Sequence, residues 1–160
     1  MPVAKSKQKI LPPVRPNVGV EVTYRKRLQR LIDEMNNSIG YWLAACYGSN
    51  PPAIAQDELP AAELLKTFRQ LRRRWLKKFN DAAPKIARAF AESSKNHVDN
   101  SFQKILEDAG MVVDFKMTST VRDVFTASVA ENVGLIKSIA SENLTDVEGI
   151  LMRSVTVGRD

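Results

Sequence analysis

Cysteine and histidine are nearly absent from this 160-residue chain, which contains one of each. A lone cysteine, Cys46, excludes an intrachain disulfide and a zinc site built from several thiolates. The lone histidine, His97, has no second metal ligand or acid-base partner that the sequence identifies. We therefore expect His97 to be a surface or helix-end residue rather than a catalyst.

Motifs that carry catalysis are also missing. The sequence contains no glycine-rich phosphate loop, no HExxH and no cluster of cysteine and histidine ligands. Its acidic residues are scattered, and no two of them form an evident acid-base pair. No apolar run approaches the roughly 20 residues that span a bilayer. These absences lead us to expect no enzyme, no cofactor, no metal site and no membrane-spanning helix.

Charge, by contrast, is abundant and unevenly distributed. The net charge is +6. Residues 1–84 carry fifteen Lys and Arg against seven Asp and Glu, whereas residues 85–160 carry nine against eleven. The first half is therefore at +8 and the second at −2, so a negatively charged partner would be attracted to the first half.

The most distinctive stretch is residues 60–79, whose spacing predicts an amphipathic helix. At about 100° per residue, one side collects five large apolar side chains: Leu64, Phe68, Leu71, Trp75 and Phe79. Between 66 and 78 the segment carries seven basic residues and no acid: Lys66, Arg69, Arg72, Arg73, Arg74, Lys77 and Lys78. A solvated helix face usually mixes both signs, so this pattern favours phosphate binding, and we take the seven as candidate nucleic-acid-binding residues. A solvated face without any ligand is the alternative.

Another amphipathic helix is predicted from about Val20 to Tyr47. Eight of its residues lie within roughly 120° of arc: Leu28, Leu31, Ile32, Met35, Ile39, Trp42, Leu43 and Cys46. We expect Leu31, Met35, Ile39 and Trp42 to be buried together, either in the core or against a partner. Cys46 ends this stripe and is interpreted as a small buried apolar residue rather than a nucleophile.

The remaining patterns divide the chain into three regions. Residues 1–19 contain four prolines, four basic residues and no acid, which predicts a flexible arm. Residues 20–110 form a helical region that includes the basic helix 60–79. Within this region Pro84 predicts a kink or break near residues 80–84, and Gly110 is placed to close the last helix.

Residues 111–160 begin with the one stretch that alternates in the manner of a strand, 111–117. With no second strand to pair with, it is either a strand that pairs outside this sequence or an extended connector. Two helices are expected to follow, the second starting at a capping box from Thr145 to Glu148. The predicted fold class is mostly α, with elongated or bundled amphipathic helices and at most one short strand or hairpin near 111–117.

Four segments together resemble a known family: YRKRLQRLIDEMNNSIGYWLAACY at 24–47, RRRWLKKF at 72–79, ENVGLIKSI at 131–139 and VEGILMRSVTVGRD at 147–160. They are similar to the N-terminal region of phage head morphogenesis proteins, the minor head proteins related to the F protein of phage Mu. The resemblance covers nearly all of the chain after about residue 12. In that family a further domain normally follows the segment corresponding to GRD, so we expect a C-terminal domain beyond residue 160.

The resemblance implies a structural protein of a tailed-phage or prophage head. Its implied partners are the portal protein or the major capsid protein within a multi-subunit assembly, with sequence-independent contact to double-stranded DNA as a further expectation. Its implied location is the head interior or portal vertex of the virion, and the bacterial cytoplasm during assembly. Two alternatives from the residues stay open, namely a DNA-binding packaging accessory protein outside the virion and a peripheral protein on anionic lipid.

Overall fold

A computed structural model describes residues 10–49 and 58–157 of the chain. These ranges contain three α-helices, α1 (Val18–Ser49), α2 (Glu58–Asp108) and α3 (Ser119–Val157), and no strand. The prediction of a mostly α protein is therefore confirmed. Among the residues described, no helix combines the length and apolar character needed to cross a membrane.

The central element is α2, whose 51 residues correspond to a length of about 77 Å. It packs against both α1 and α3. Thr67 contacts Cys46 near the start of α2, whereas Phe90 contacts Tyr24 much further along it, so α1 and α2 are antiparallel. Arg72 bonds to Glu148 near the end of α3, so α3 also runs antiparallel to α2.

The core forms where the apolar stripes of the three helices meet. Its buried members come from all three helices: Leu31, Met35, Ile39, Phe68, Trp75, Phe79, Ala83, Ala87, Ile136, Ala140 and Leu144. Spacings of three and four residues within each helix turn these side chains to one side. The stripe of α2 changes from aromatic residues to alanines after Phe79, so two parts of the core differ in side-chain size.

Short-range hydrogen bonds define the helix ends. Asn17 caps α1, because its side-chain Oδ1 accepts from the Gly19 amide at 2.8 Å and its carbonyl accepts from the Val20 amide at 3.1 Å. Gly110 has a φ of 82° and closes α2 as the sequence predicts. In α3, the Thr118 hydroxyl accepts from the Val121 amide at 3.2 Å.

The structure bears on three expectations about chain breaks. Of the kink or break predicted near residues 80–84, the break does not occur, because α2 runs without interruption through Pro84. Residues 111–117 form a connector, which is one of the two alternatives predicted for them, since the described chain offers them no ladder partner. The two helices expected after this connector are one, α3, and the predicted capping box from Thr145 to Glu148 lies inside it.

The described part of the proline-rich arm lies against α2. Residues 10–17 are not helical, and residues 1–9 of the predicted arm lie outside the described ranges. The His97 Nε2–H donates to the Arg15 carbonyl at 2.9 Å, and the Asn17 amide donates to His97 Nδ1 at 3.3 Å. His97 therefore joins the start of α1 to α2, and both of its ring nitrogens have a structural role.

Candidate nucleic-acid interface

The basic residues of 60–79 lie on the side of α2 that the other helices leave open. Phe68, Leu71, Trp75 and Phe79 are buried in the interior, as their spacing predicts. A helix that buries one stripe must direct the positions on its opposite side to solvent. Of the seven candidates, Lys66, Arg69, Arg73, Arg74, Lys77 and Lys78 are exposed. We call these six side chains the basic face.

Arg72 is the candidate that does not belong to this face. Its Nη1 lies 3.0 Å from Glu148 Oε2, and its Nη2 donates to Thr145 Oγ1 at 3.3 Å. The side chains of Arg72 and Glu148 are only 25% and 32% exposed. Because this pair is shielded and supported by a second hydrogen bond, it joins α2 to α3 and leaves Arg72 little capacity for an external phosphate.

Three lysines of the basic face have acidic neighbours. Lys66 lies 3.6 Å from Glu63, and Lys77 lies 2.7 Å from Asp81. Both pairs are within one helix and well exposed, and such pairs contribute roughly 0.3–0.5 kcal/mol, so a phosphate could replace the carboxylate at little cost.

Lys78 is held more firmly. Its Nζ lies 2.8 Å from Glu34 on α1 and 4.5 Å from the centroid of the Trp75 ring. The lysine therefore interacts with a carboxylate and with the face of an indole ring. This arrangement ties Lys78 to the contact between α1 and α2.

The three arginines of the basic face are different. Arg69, Arg73 and Arg74 are exposed, and none has a carboxylate partner within residues 10–49 and 58–157. Four of the seven positive charges of the segment are paired, which leaves three uncompensated charges within six residues. Guanidinium groups bind phosphate oxygens in a two-pronged geometry, so this trio is chemically suited to a phosphate backbone.

Aromatic side chains of α1 lie at one edge of the basic face. Trp42 and Arg74 line the same surface depression of about 180 Å³, together with Thr67, Gln70 and Leu71. The sequence predicts that Trp42 is buried with Leu31, Met35 and Ile39, but its side chain is 45% exposed. Burial in the core is therefore wrong for Trp42, which lies at the rim of the contact between α1 and α2, whereas burial of Trp42 against a partner stays a prediction.

Cys46 lies on the neighbouring part of α1. It is half-buried, and its Sγ accepts a hydrogen bond from the Thr67 hydroxyl at 3.6 Å. The contact agrees with the interpretation of Cys46 as a packing residue. No group of three or more His, Cys, Asp or Glu side chains in the described part of the chain is arranged to hold a metal ion.

Comparison with known proteins found no match. This holds for protein-family models, curated proteins and solved structures alike.

The sequence predicts seven candidates, of which the structure leaves six exposed, and two features were not predicted. Sequence reasoning did not identify the partner of Arg72, because Glu148 lies 76 residues away in the sequence. It also placed Trp42 in the core, although Tyr41 and Trp42 form an adjacent aromatic pair at the edge of the basic face.

Proposed function

We propose that this chain is a non-catalytic structural protein of a tailed-phage or prophage head, and that it binds double-stranded DNA without sequence preference through the basic face of α2. The observation that supports the DNA contact is the trio of exposed arginines Arg69, Arg73 and Arg74, which have no acidic partner in the part of the chain that the structure describes. The head location, and association with the portal or major capsid protein, follow from the family resemblance.

The geometry favours contact with the phosphate backbone over reading of base edges in a duplex. Arg69 and Arg73 are four residues apart and so lie about 6 Å apart along α2, while Arg74 follows on the flank. A helix with charges along one side can follow phosphates, whose contacts position a protein without specifying sequence. The same contacts release counterions, so the affinity should fall steeply as salt increases.

A duplex-binding measurement tests this proposal. The chain is titrated into two fluorescently labelled 30-base-pair duplexes of unrelated sequence, and anisotropy is followed from 50 to 200 mM salt. We expect equal affinity for both duplexes. The triple variant Arg69→Gln, Arg73→Gln, Arg74→Gln should bind more weakly, and its slope of log affinity against log salt should be flatter by up to about 2.7, because each phosphate contact contributes about 0.9.

A matched control removes the same number of charges from elsewhere. Arg25 and Arg88 are exposed and paired with acids on their own helices, and Arg153 is exposed on α3. Changing these three to Gln lowers the net charge equally but leaves the basic face intact. If this control variant loses as much affinity as the first, binding depends on net charge and the assignment to the basic face is wrong.

Co-expression with the portal protein of the same phage, followed by size-exclusion chromatography, tests the head location. Co-elution supports it. DNA binding without co-elution would instead favour the packaging accessory protein outside the virion. If the arginine variant binds duplex normally but loses the portal protein, the basic face is a protein interface and the DNA contact is withdrawn. Binding to anionic but not neutral vesicles would favour the peripheral membrane alternative.

A further inference from the structure

Two neighbouring aromatic side chains on α1 are unusually exposed for their size. Tyr41 is 68% exposed and Trp42 is 45% exposed. Their rings are nearly perpendicular, with an interplanar angle of 86° and centroids 5.4 Å apart. The edge of one ring therefore meets the other, and part of each aromatic surface remains open to solvent.

Hydrogen-bonding and positively charged groups of α2 lie beside this aromatic pair. Arg74 and Gln70 share the surface depression with Trp42. Arg74 has no carboxylate partner among the residues described. Arg73 precedes it directly on α2, and Arg69 lies five residues earlier. An indole ring, an amide and a guanidinium group are thus adjacent at the boundary between α1 and α2.

The surrounding charge favours a negatively charged ligand. Residues 35–49 contain no acidic residue. The preceding carboxylate on α1, Glu34, is neutralised by Lys78 at 2.8 Å. Tryptophan, tyrosine and arginine are also enriched at protein–protein interfaces. Here, however, Arg74 borders Trp42 in the depression and has no carboxylate partner among the described residues, so charge complementarity favours a negatively charged ligand.

We propose that Tyr41, Trp42 and Arg74 form a binding site for an unpaired base of single-stranded nucleic acid, while Arg69 and Arg73 bind the adjacent phosphates. This inference rests on the proposed nucleic-acid binding and specifies a second ligand for the same region. Any of the four bases can stack on an aromatic ring, so the site selects unpaired bases rather than a sequence. In a duplex the bases are stacked on one another, so a duplex contacts the arginines without using the rings.

Three labelled probes of equal length separate base stacking from phosphate binding. They are a 20-nucleotide oligo(dT), an abasic 20-mer with the same backbone charge, and a 20-base-pair duplex. We expect the wild-type chain to bind oligo(dT) more tightly than the abasic strand. Trp42→Ala should lower oligo(dT) affinity by about five- to a hundredfold, as expected for loss of one stacked base. It should remove the preference over the abasic strand and change duplex affinity less than twofold.

Two further variants and a control guard against a folding defect. Trp42→Phe keeps a ring and should retain most of the preference for oligo(dT). Tyr41→Ala removes a largely exposed ring, so the fold should survive while the preference for oligo(dT) falls. Phe115→Ala is the control. It removes a comparably exposed aromatic side chain from the connector between α2 and α3, and it should leave the affinity for all three probes unchanged. Circular dichroism at 222 nm checks that each variant stays helical.

The outcomes distinguish this inference from the proposed function. If duplex binding is normal but oligo(dT) and the abasic strand bind equally well, the base site is refuted and the proposed function stands. If the chain binds none of the probes, the proposed function fails and the base site fails with it. If Trp42→Ala leaves oligo(dT) binding unchanged and abolishes co-elution with the portal protein, the aromatic pair is a protein contact and the base site is refuted.

Discussion

Replacing Pro84 with alanine should stabilise this protein, because the proline lies inside a continuous helix. Pro84 follows 26 residues of α2 and precedes 24 more. It has no amide hydrogen, so the carbonyl of Asn80 loses its usual partner one turn earlier, and the ring crowds the same turn. Asn80 and Pro84 are both exposed, so this carbonyl can be hydrated, whereas the neighbouring Ala83 and Ala87 are fully buried.

The magnitude follows from two opposing effects. Proline costs about 3 kcal/mol relative to alanine in a helix interior. Alanine gives the unfolded chain more freedom, which offsets about 0.4–1 kcal/mol of that gain. The net increase in unfolding free energy should therefore be about 2 kcal/mol. At roughly 2–4 °C per kcal/mol for a chain of this size, the Tm should rise by about 4–8 °C.

Urea and thermal unfolding followed by circular dichroism at 222 nm measure this change. Pro13→Ala is the matched control, since Pro13 is exposed in the non-helical segment before α1. This variant should not raise the free energy of unfolding, and it should lower it by at most about 1 kcal/mol. An unchanged or lower Tm for Pro84→Ala would refute the reasoning. It would mean that the path of α2 around Pro84 is needed for the buried alanines to meet α3.

Two further predictions concern the core and the phenol of Tyr24. Ile39 is 4% exposed and Ile150 is 54% exposed. Ile39→Ala should lower the free energy of unfolding in urea by about 2–5 kcal/mol with an unchanged m value. Ile150→Ala should change it by no more than about 0.5 kcal/mol. Equal losses for the two variants would contradict a closed core. Burial raises the pKa of Tyr24 above the ordinary value of 10.0. The phenol therefore stabilises the fold fully below pH 10.0, and this contribution is lost as the pH rises through the higher folded pKa. Unfolding titrations around that pH should show a smaller loss for Tyr24→Phe than for the wild type.

The buried face of the basic helix could be predicted from local spacing, but the ion-pair partners of its charged residues could not. Phe68, Trp75 and Phe79 follow the period of the α-helix, so any packed neighbour must cover them on the same side. Which acid reaches which base depends on the register between helices. Glu148 meets Arg72 only because α3 continues as one helix past Thr145, where the sequence suggested a new start.

Breaks between helices were the least reliable expectation. Proline at position 84 and the Thr145–Glu148 motif are both local signals for a helix boundary, and the structure overrides both. Tertiary packing explains why both helices continue. Burial of Ala83 and Ala87 outweighs the backbone hydrogen bond lost at Pro84, and burial of Leu144 outweighs the stabilisation that a new helix cap at Thr145 would give. Gly110 did end a helix. Its positive φ turns the chain out of α2, and its amide donates to the Glu107 carbonyl at the helix end.

The amino-acid sequence alone determined that this protein is helical, where its apolar stripes lie and that its positive charge concentrates between residues 66 and 78. These properties depend on residue type and on the 3.6-residue period, which act within a few turns. The tertiary structure added that Arg72 pairs with Glu148, that Arg69, Arg73 and Arg74 have no carboxylate partner among the described residues, and that Trp42 lies at the surface. Those properties depend on which helix packs alongside and in what register, and that is set by contacts between residues far apart in the chain.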